Sequence, residues 1–184
     1  MWKEIAKFGK KLVDGGYLSS HFGNISVRVG DSITVTRSGC MLDEITEASV
    51  VTVDLNKPSS LDLIASSETI VHREIYKRTS ALAIIHAHCP FAVIESLLNE
   101  ASIEPYDSEG KFFFHEIPIV TGHIGTKELA ENAAKALEKH KGCIVKAHGT
   151  FAVGKILEEA YVHTTMMEHS AKIKYFCDLS KNKL

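Results

Sequence analysis

Two histidines separated by one residue, His86 and His88, stand at the end of an apolar segment. In a β-strand, residues i and i+2 point to the same face, so both imidazoles would emerge side by side. This spacing suits two ligands of one metal ion; the alternative is a buried pair that is hydrogen-bonded within a sheet. A third histidine, His148, ends another apolar segment and precedes Gly149, where the backbone can turn sharply. Three neutral nitrogens that leave one coordination position open are typical of a catalytic zinc ion.

A second cluster, Ser66-Ser67-Glu68, stands where the sequence predicts the start of a helix. Unpaired main-chain N–H groups and the helix dipole favour an anion there, and the two hydroxyls add donors for a phosphate. The alternative is an ordinary helix start with Ser66 as the capping residue and an acidic first turn. Under that alternative Glu68 and His72, one turn apart, pair on the helix surface.

A third set of residues lies in short polar loops beside predicted strands, at Gly23-Asn24 and Ser38-Gly39. Small residues with glycine let backbone N–H groups approach a phosphate closely. The alternative is that these are turn residues without a ligand.

The elements that carry these residues follow from the hydrophobic pattern, which alternates in strands and recurs at three to four residues in helices. Alternating segments around Gly30-Asp31 predict a β-hairpin. Because strands come both as hairpins and between helices, we expect a mixed sheet covered by helices in one domain, residues 1–184. The predicted helices are 2–14, 66–78, 91–98, 126–139 and 157–177, and the predicted strands are 25–29, 33–35, 50–53, 82–88, 143–148 and 151–153.

Composition narrows the class of protein. A formal net charge of −2 over 184 residues gives no electrostatic argument for binding nucleic acid or an anionic membrane. No apolar run approaches the roughly 20 residues that span a bilayer, and residues 1–11 lack the pattern of a signal peptide. The four cysteines form no CxxC pair, which argues against a disulfide scaffold and predicts a reducing, cytoplasmic location. They are Cys40, Cys89, Cys143 and Cys177.

Taken together and in this order, the motifs resemble those of the class II aldolase/adducin family, from near residue 1 to about residue 170. The resemblance implies an α/β fold, a three-layer α/β/α sandwich around a mixed, mostly antiparallel sheet. It also implies a homotetramer with active sites at subunit interfaces. The motifs that carry it are Gly23-Asn24-Ile25-Ser26, Ser38-Gly39, Ser66-Ser67-Glu68 with His72, His86-Ala87-His88 and His148-Gly149.

The resemblance also implies roles for individual residues. One zinc ion per subunit is expected on His86, His88 and His148, with Glu68 as the catalytic acid/base and as a fourth metal ligand when substrate is absent. The implied phosphate pocket consists of Gly23, Asn24, Ser38, Gly39, Ser66 and Ser67. Adducin-like members without activity are expected to lack a complete histidine set, which this chain retains.

Within the family the chain is most similar to the branch that cleaves L-fuculose 1-phosphate to dihydroxyacetone phosphate and L-lactaldehyde. Three alternatives remain: a pentulose-phosphate 4-epimerase, expected to have Asp in place of Glu68; a methylthioribulose-1-phosphate dehydratase; and a non-catalytic adducin-like interaction module. The bacterial aldolase is longer and closes its site with tyrosines, whereas this chain has a tail of residues 181–184 and offers Tyr106 as one such phenol.

Overall fold

The fold is described by a computed structural model of residues 1–181; Asn182 to Leu184 of the expected tail lie outside the described residues. The helices are α1 Trp2–Asp14, α2 Thr69–Arg78, α3 Pro90–Leu98, α4 Ser108–Phe114, α5 Lys127–Leu137 and α6 Leu157–Lys181. The strands are β1 Asn24–Val29, β2 Ser32–Thr36, β3 Val50–Asp54, β4 Ala83–Ala87, β5 Ser102–Ile103, β6 Ile117–Val120, β7 Gly142–Val145 and β8 Gly149–Gly154.

One mixed sheet forms the middle layer, with strand order β3-β2-β1-β4-β8-β7-β6-β5. Neighbouring strands in the described residues are antiparallel except for the parallel pair β6–β7. Buried side chains of α1, α3, α4 and α6 form the core on one face, and those of α2 and α5 form the core on the other. The structure therefore confirms the expected three-layer sandwich around a mostly antiparallel sheet.

Strand β4 lies near the middle of the sheet, between β1 and β8. All five of its residues are buried, which agrees with a strand that is apolar on both faces. Pro90 then begins α3, where its missing N–H is harmless because the first N–H groups of a helix have no partner within it. His86 and His88 therefore lie at the end of β4, just before α3 begins.

The start of α2 differs from the prediction, because the helix begins at Thr69 and not at Ser66. Glu68 occupies the capping position, and its side chain makes no capping hydrogen bond. Ser66 closes a tight turn before the helix: its hydroxyl accepts from the Glu68 N–H at 3.3 Å and its carbonyl accepts from the Thr69 N–H at 2.9 Å. A short hydroxyl side chain competes well for such local backbone donors, so Ser66 extends the turn and does not cap the helix.

Helix α5 is capped as expected by Thr126, whose hydroxyl accepts from the Leu129 N–H. Thr126→Ala leaves that donor unpaired, so we expect the free energy of unfolding to fall by about 0.5–2 kcal/mol. Urea titration measures the change, and Thr126→Ser, which retains the hydroxyl, should stay close to the wild type. Equal stability of the alanine variant would show that the cap contributes nothing.

None of the helices within residues 1–181 combines the length and apolar character that crossing a lipid bilayer requires.

Candidate metal and phosphate site

The three histidines of the expected metal site, called the histidine trio below, do come together in the fold. His86 lies in β4, His88 follows that strand, and His148 lies in the turn between β7 and β8. Strand β8, and not β7, is the strand paired with β4, so the turn before β8 brings His148 beside the end of β4. One candidate ligand atom from each histidine lies within 4.8 Å of the other two.

The predicted strand 143–148 was expected to end at His148, but the structure places His148 in a turn after the strand. Strand β7 ends at Val145, and the next three residues form a turn that is closed by the His148 N–H and the Val145 carbonyl at 3.0 Å. Gly149 then passes so close to β4 that an added Cβ would lie 2.5 Å from the Ala87 carbonyl oxygen. Glycine is therefore required at this position by the close approach of two backbones.

The imidazole of His86 is fixed by two neighbours. Its Nδ1 donates to the Thr150 carbonyl at 3.0 Å, and its ring stacks on Phe151 with centroids 4.4 Å apart. Because a neutral imidazole carries one proton, this hydrogen bond leaves a lone pair on Nε2. That Nε2 faces His88 Nε2 at 3.1 Å. A carbonyl that fixes the tautomer in this way is the usual support for a metal-binding histidine.

Burial keeps the trio in the neutral form that binds metals. It lowers the pKa of His86 well below the ordinary value, with smaller contributions from His148 and His88. Burial also lowers the pKa of His88 to about 4, and it lowers the pKa of His148. All three imidazoles are therefore uncharged at neutral pH.

Glu68 reaches the same point from the start of α2. Its Oε2 lies 3.0 Å from His86 Nε2, and its Oε1 lies 4.0 Å from His148 Nδ1. The residue is only 3% exposed. Burial raises the pKa of this carboxyl to about 7, against the opposing effect of a hydrogen bond from Asn24 Nδ2 at 3.0 Å. Glu68 is therefore not a surface partner of His72, and Asn24 lies between the two.

Unpaired buried atoms show that a cation fits among these four side chains. Within the described residues, Glu68 Oε1 and His148 Nδ1 are buried without a hydrogen-bond partner. Buried polar atoms are rarely left unpaired, so each such atom needs an explanation. The 3.1 Å between two trio nitrogens is close to the separation of about 3.3 Å for two nitrogens on one tetrahedral zinc. A bound cation would coordinate the carboxylate oxygens of Glu68 and the imidazole nitrogens of the trio that face one another here.

The predicted phosphate segments, residues 23–24, 38–39 and 66–67, also converge. Thr36 joins two of them: its hydroxyl accepts from the Ile25 N–H, and its carbonyl accepts from the Ser66 N–H. The Ser38 N–H donates to Ile64 beside the same turn. Of the residues in these segments, Ser38, Gly39 and Ser67 are exposed to solvent, whereas Asn24 and Ser66 are buried.

Two of these residues also connect the predicted phosphate segments to the histidine trio. Gly23 has a φ of +83°, and an added Cβ would lie 2.5 Å from the His86 carbonyl oxygen, so glycine is needed there. Asn24 pairs with His86 across β1 and β4. Its amide oxygen faces His72 and its nitrogen donates to Glu68. One amide hydrogen of Asn24 is left for a ligand.

His88 and His148 face an open cleft of about 680 Å³ that the sequence does not predict. Its other walls are α3 and the loop that follows α1, where the exposed ring of Phe22 stacks on His88 at 5.2 Å. The start of α3 is anchored from α6, because Glu168 accepts the N–H groups of Phe91 and Ala92 at 3.0 and 2.9 Å. No sequence spacing predicts these contacts, because they join segments that are far apart along the chain.

The family model described as class II aldolase and adducin N-terminal domain matches residues 3–175. The chain belongs to this family. A relative from Methanocaldococcus jannaschii, named L-fuculose phosphate aldolase, is 35% identical and the match covers 93% of both chains. The relative of that name from Escherichia coli is 31% identical over 75% of this chain and 65% of its own. The crystal structure of L-fuculose-1-phosphate aldolase from Thermus thermophilus is 34% identical, with a TM-score of 0.92 over 98% of this chain and 95% of its own.

Membership in the class II aldolase and adducin family confirms the resemblance found in the sequence. It supports a lyase of the aldolase type that acts on a phosphorylated sugar, with a metal site in the histidine trio.

Proposed function

We propose that this chain is a zinc-dependent aldolase that reversibly cleaves L-fuculose 1-phosphate, or a similar ketose 1-phosphate, to dihydroxyacetone phosphate and L-lactaldehyde. The observation that carries the proposal is the contact of Glu68 with the histidine trio, one residue away from the phosphate segment that ends at Ser67. The names of the relatives agree with this substrate. Incubation of purified protein with dihydroxyacetone phosphate and a panel of aldehydes tests it; absence of any ketose phosphate product would exclude it.

The histidine trio would hold one zinc ion per subunit, with Glu68 as a fourth ligand when substrate is absent. When bound, zinc supplies a Lewis acid that stabilises negative charge developing beside the substrate carbonyl. The chain's own contribution is to place a proton acceptor there, because the Glu68 carboxyl lies against the histidine trio and next to the phosphate segment. The carbon-bound proton next to the carbonyl is the one that Glu68 would move.

The phosphate segments would hold the end of the substrate that does not react, with donors from Gly23, Asn24, Ser38, Gly39, Ser66 and Ser67. The start of α2 adds the positive end of its dipole. Because Glu68 belongs to the same turn, binding of the phosphate places the reacting carbon beside the carboxyl. Orientation of this kind contributes several kcal/mol to catalysis.

Ser67→Ala should mainly raise the Michaelis constant for the phosphorylated substrate, because the hydroxyl is exposed at the phosphate edge and not at the metal site. We expect an increase of about tenfold, the effect of one hydrogen bond to a charged group. Steady-state kinetics measure it. Ser32→Ala, which removes an exposed hydroxyl at the opposite end of β2, is the matched control. Equal turnover of the unphosphorylated sugar by the wild type would contradict the phosphate pocket.

The competing enzymes of the same scaffold differ from this proposal at named positions. The pentulose-phosphate 4-epimerase is disfavoured by Glu68, where that enzyme is expected to have Asp. The methylthioribulose-1-phosphate dehydratase would share the metal site and eliminate water, so its product distinguishes it. A non-catalytic adducin-like module is disfavoured by the complete trio.

The proposal includes a homotetramer with active sites at subunit interfaces, in which Tyr106 of one subunit approaches the site of another. Within one subunit, the Tyr106 hydroxyl donates to Asp178 of α6 at 2.8 Å. Tyr106 is 38% exposed, so it can contact a neighbouring subunit. A cytoplasmic location remains a prediction, as does the absence of nucleic-acid and membrane partners.

A further inference from the structure

Five buried polar side chains form a continuous hydrogen-bonded chain behind the metal site. From the far end, Tyr76 Oη lies 2.8 Å from Ser26 Oγ, which lies 2.6 Å from His72 Nδ1. His72 Nε2 lies 2.5 Å from Asn24 Oδ1, and Asn24 Nδ2 lies 3.0 Å from Glu68 Oε2. Each of the five residues is at most 5% exposed. The chain therefore joins the interior of the protein to the carboxylate that faces the histidine trio.

When Glu68 is ionised, as a cation bound beside it would favour, the chemistry of the groups fixes the direction of every hydrogen bond in this chain. A carboxylate only accepts, so the Asn24 amide turns its nitrogen to Glu68 and its oxygen to His72. That oxygen also only accepts, so the proton of His72 is on Nε2. Nδ1 is then an acceptor, and the hydroxyl of Ser26 donates to it. The hydroxyl of Tyr76 in turn donates to Ser26.

The neutral state of His72 is what makes this direction unique. Burial lowers the pKa of His72 to about 3, so the ring carries one proton at neutral pH. It packs edge-on against Phe151, on which the His86 ring also stacks. An apolar residue would fill a purely structural core position at a lower free-energy cost, because both nitrogens of a buried imidazole need hydrogen-bond partners.

We propose that Ser26 and His72 are positioning residues, which hold the Asn24 amide so that it fixes the Glu68 carboxylate against His86. The Asn24 oxygen holds the proton of His72 on Nε2, and Ser26 supports that tautomer by donating to Nδ1. The Nε2–H of His72 in turn holds the orientation of the Asn24 amide. The inference rests on the proposed function in so far as Glu68 is the catalytic group. Its geometric part, the orientation of Glu68 toward the metal site, does not depend on which substrate is cleaved.

A matched pair of amide variants tests this role. Glutamine at position 72 places its amide nitrogen where His72 Nε2 stands and can still donate to Asn24. Asparagine is one methylene shorter and reaches only the position of Nδ1. We expect His72→Gln to stay within about threefold of the wild type in zinc affinity and in exchange of the dihydroxyacetone phosphate α-hydrogen. His72→Asn should lose about 10–100-fold in both, as for other partners that orient a metal ligand. Equal losses in the two variants, or none in either, would overturn the proposal.

The tautomer of His72 provides a readout that does not depend on activity. Imidazole ¹⁵N chemical shifts of histidine-labelled protein should show His72 in the pure Nε2–H form. A dominant Nδ1–H form would overturn the assignment. If a His72 variant does not fold, Ser26→Ala decides: an Nδ1–H form that appears together with weaker zinc binding supports the proposal. A pure Nε2–H form with wild-type zinc binding contradicts it.

A control variant separates positioning from loss of core stability. Thr164→Val removes a fully buried hydroxyl on α6 that donates only to the carbonyl of its own helix at Ala160. It should lower stability without changing zinc affinity or exchange. If the wild type binds zinc but does not catalyse exchange, the proposed function fails, and zinc affinity and the tautomer still decide whether Ser26 and His72 position Glu68.

Discussion

Replacement of His86 by alanine should abolish zinc binding and turnover while the protein stays folded. His86 is the member of the trio that is completely buried, and its Nε2 lies within about 3 Å of both Glu68 and His88. Loss of a partner that merely orients a metal ligand costs about 10–100-fold in affinity, so loss of the ligand itself should cost more than 100-fold. Metal analysis after gel filtration measures zinc, and circular dichroism reports the fold.

The matched control for this prediction is His163→Ala. It removes another buried histidine, on α6, whose Nδ1 donates to the Val153 carbonyl at 2.7 Å. That variant should lose stability but retain about one zinc per chain. The ligand assignment would be wrong if His86→Ala retained full zinc and normal turnover.

Glu68→Gln should reduce the rate of exchange of the dihydroxyacetone phosphate α-hydrogen with solvent deuterium by about 10²–10⁴-fold, the usual contribution of a general acid–base group. Glutamine retains the shape of the side chain and its hydrogen bonding, but it cannot take up the proton. Exchange isolates this step because it needs no aldehyde. Proton NMR in deuterium oxide follows the loss of the signal.

Glu95→Gln is the control for Glu68, because it alters a second carboxyl that is 1% exposed, on α3, where it pairs with Lys174. Exchange by that variant should match the wild type. A role limited to stabilising the helix dipole would contribute about 0.3–1 kcal/mol to stability and almost nothing to rate. If zinc-loaded Glu68→Gln exchanged the α-hydrogen at the wild-type rate, Glu68 would have only that structural role.

Local patterns in the sequence were sufficient for the elements that carry the site. Strand β4 was predicted because it is a short apolar run that ends before Pro90, and α5 because Thr126 precedes an apolar stripe. The convergence of the histidine trio was not readable from the residues alone, because it depends on the pairing of β4 with β8. There the family resemblance supplied what spacing could not.

Elements with weak local signals were missed. Strand β5 has two residues and α4 has seven, which is too short for a hydrophobic period to stand out. The parallel pairing of β6 with β7 depends on the arrangement of the whole sheet, and neither segment has a local sequence pattern that predicts it. The sequence therefore predicts no helix or strand within residues 100–120.

The buried hydrogen-bonded chain behind Glu68 had a signal that was only partly used. Asn24 and Ser26 are two residues apart on a strand, and Glu68, His72 and Tyr76 follow at intervals of four along α2. Each spacing places polar groups on one face. The two faces could be joined only once the fold showed that β1 packs beneath α2.

The most direct test of a catalytic zinc ion in the histidine trio is a zinc titration of L-fuculose 1-phosphate cleavage, with metal-free protein as the starting point. We expect almost no cleavage without metal and a rate that rises linearly with added zinc to a plateau at about one zinc per chain. The same titration of His86→Ala should stay near the baseline. Full cleavage by the metal-free protein, or a wild-type response from His86→Ala, would contradict the claim that the histidine trio holds the catalytic metal.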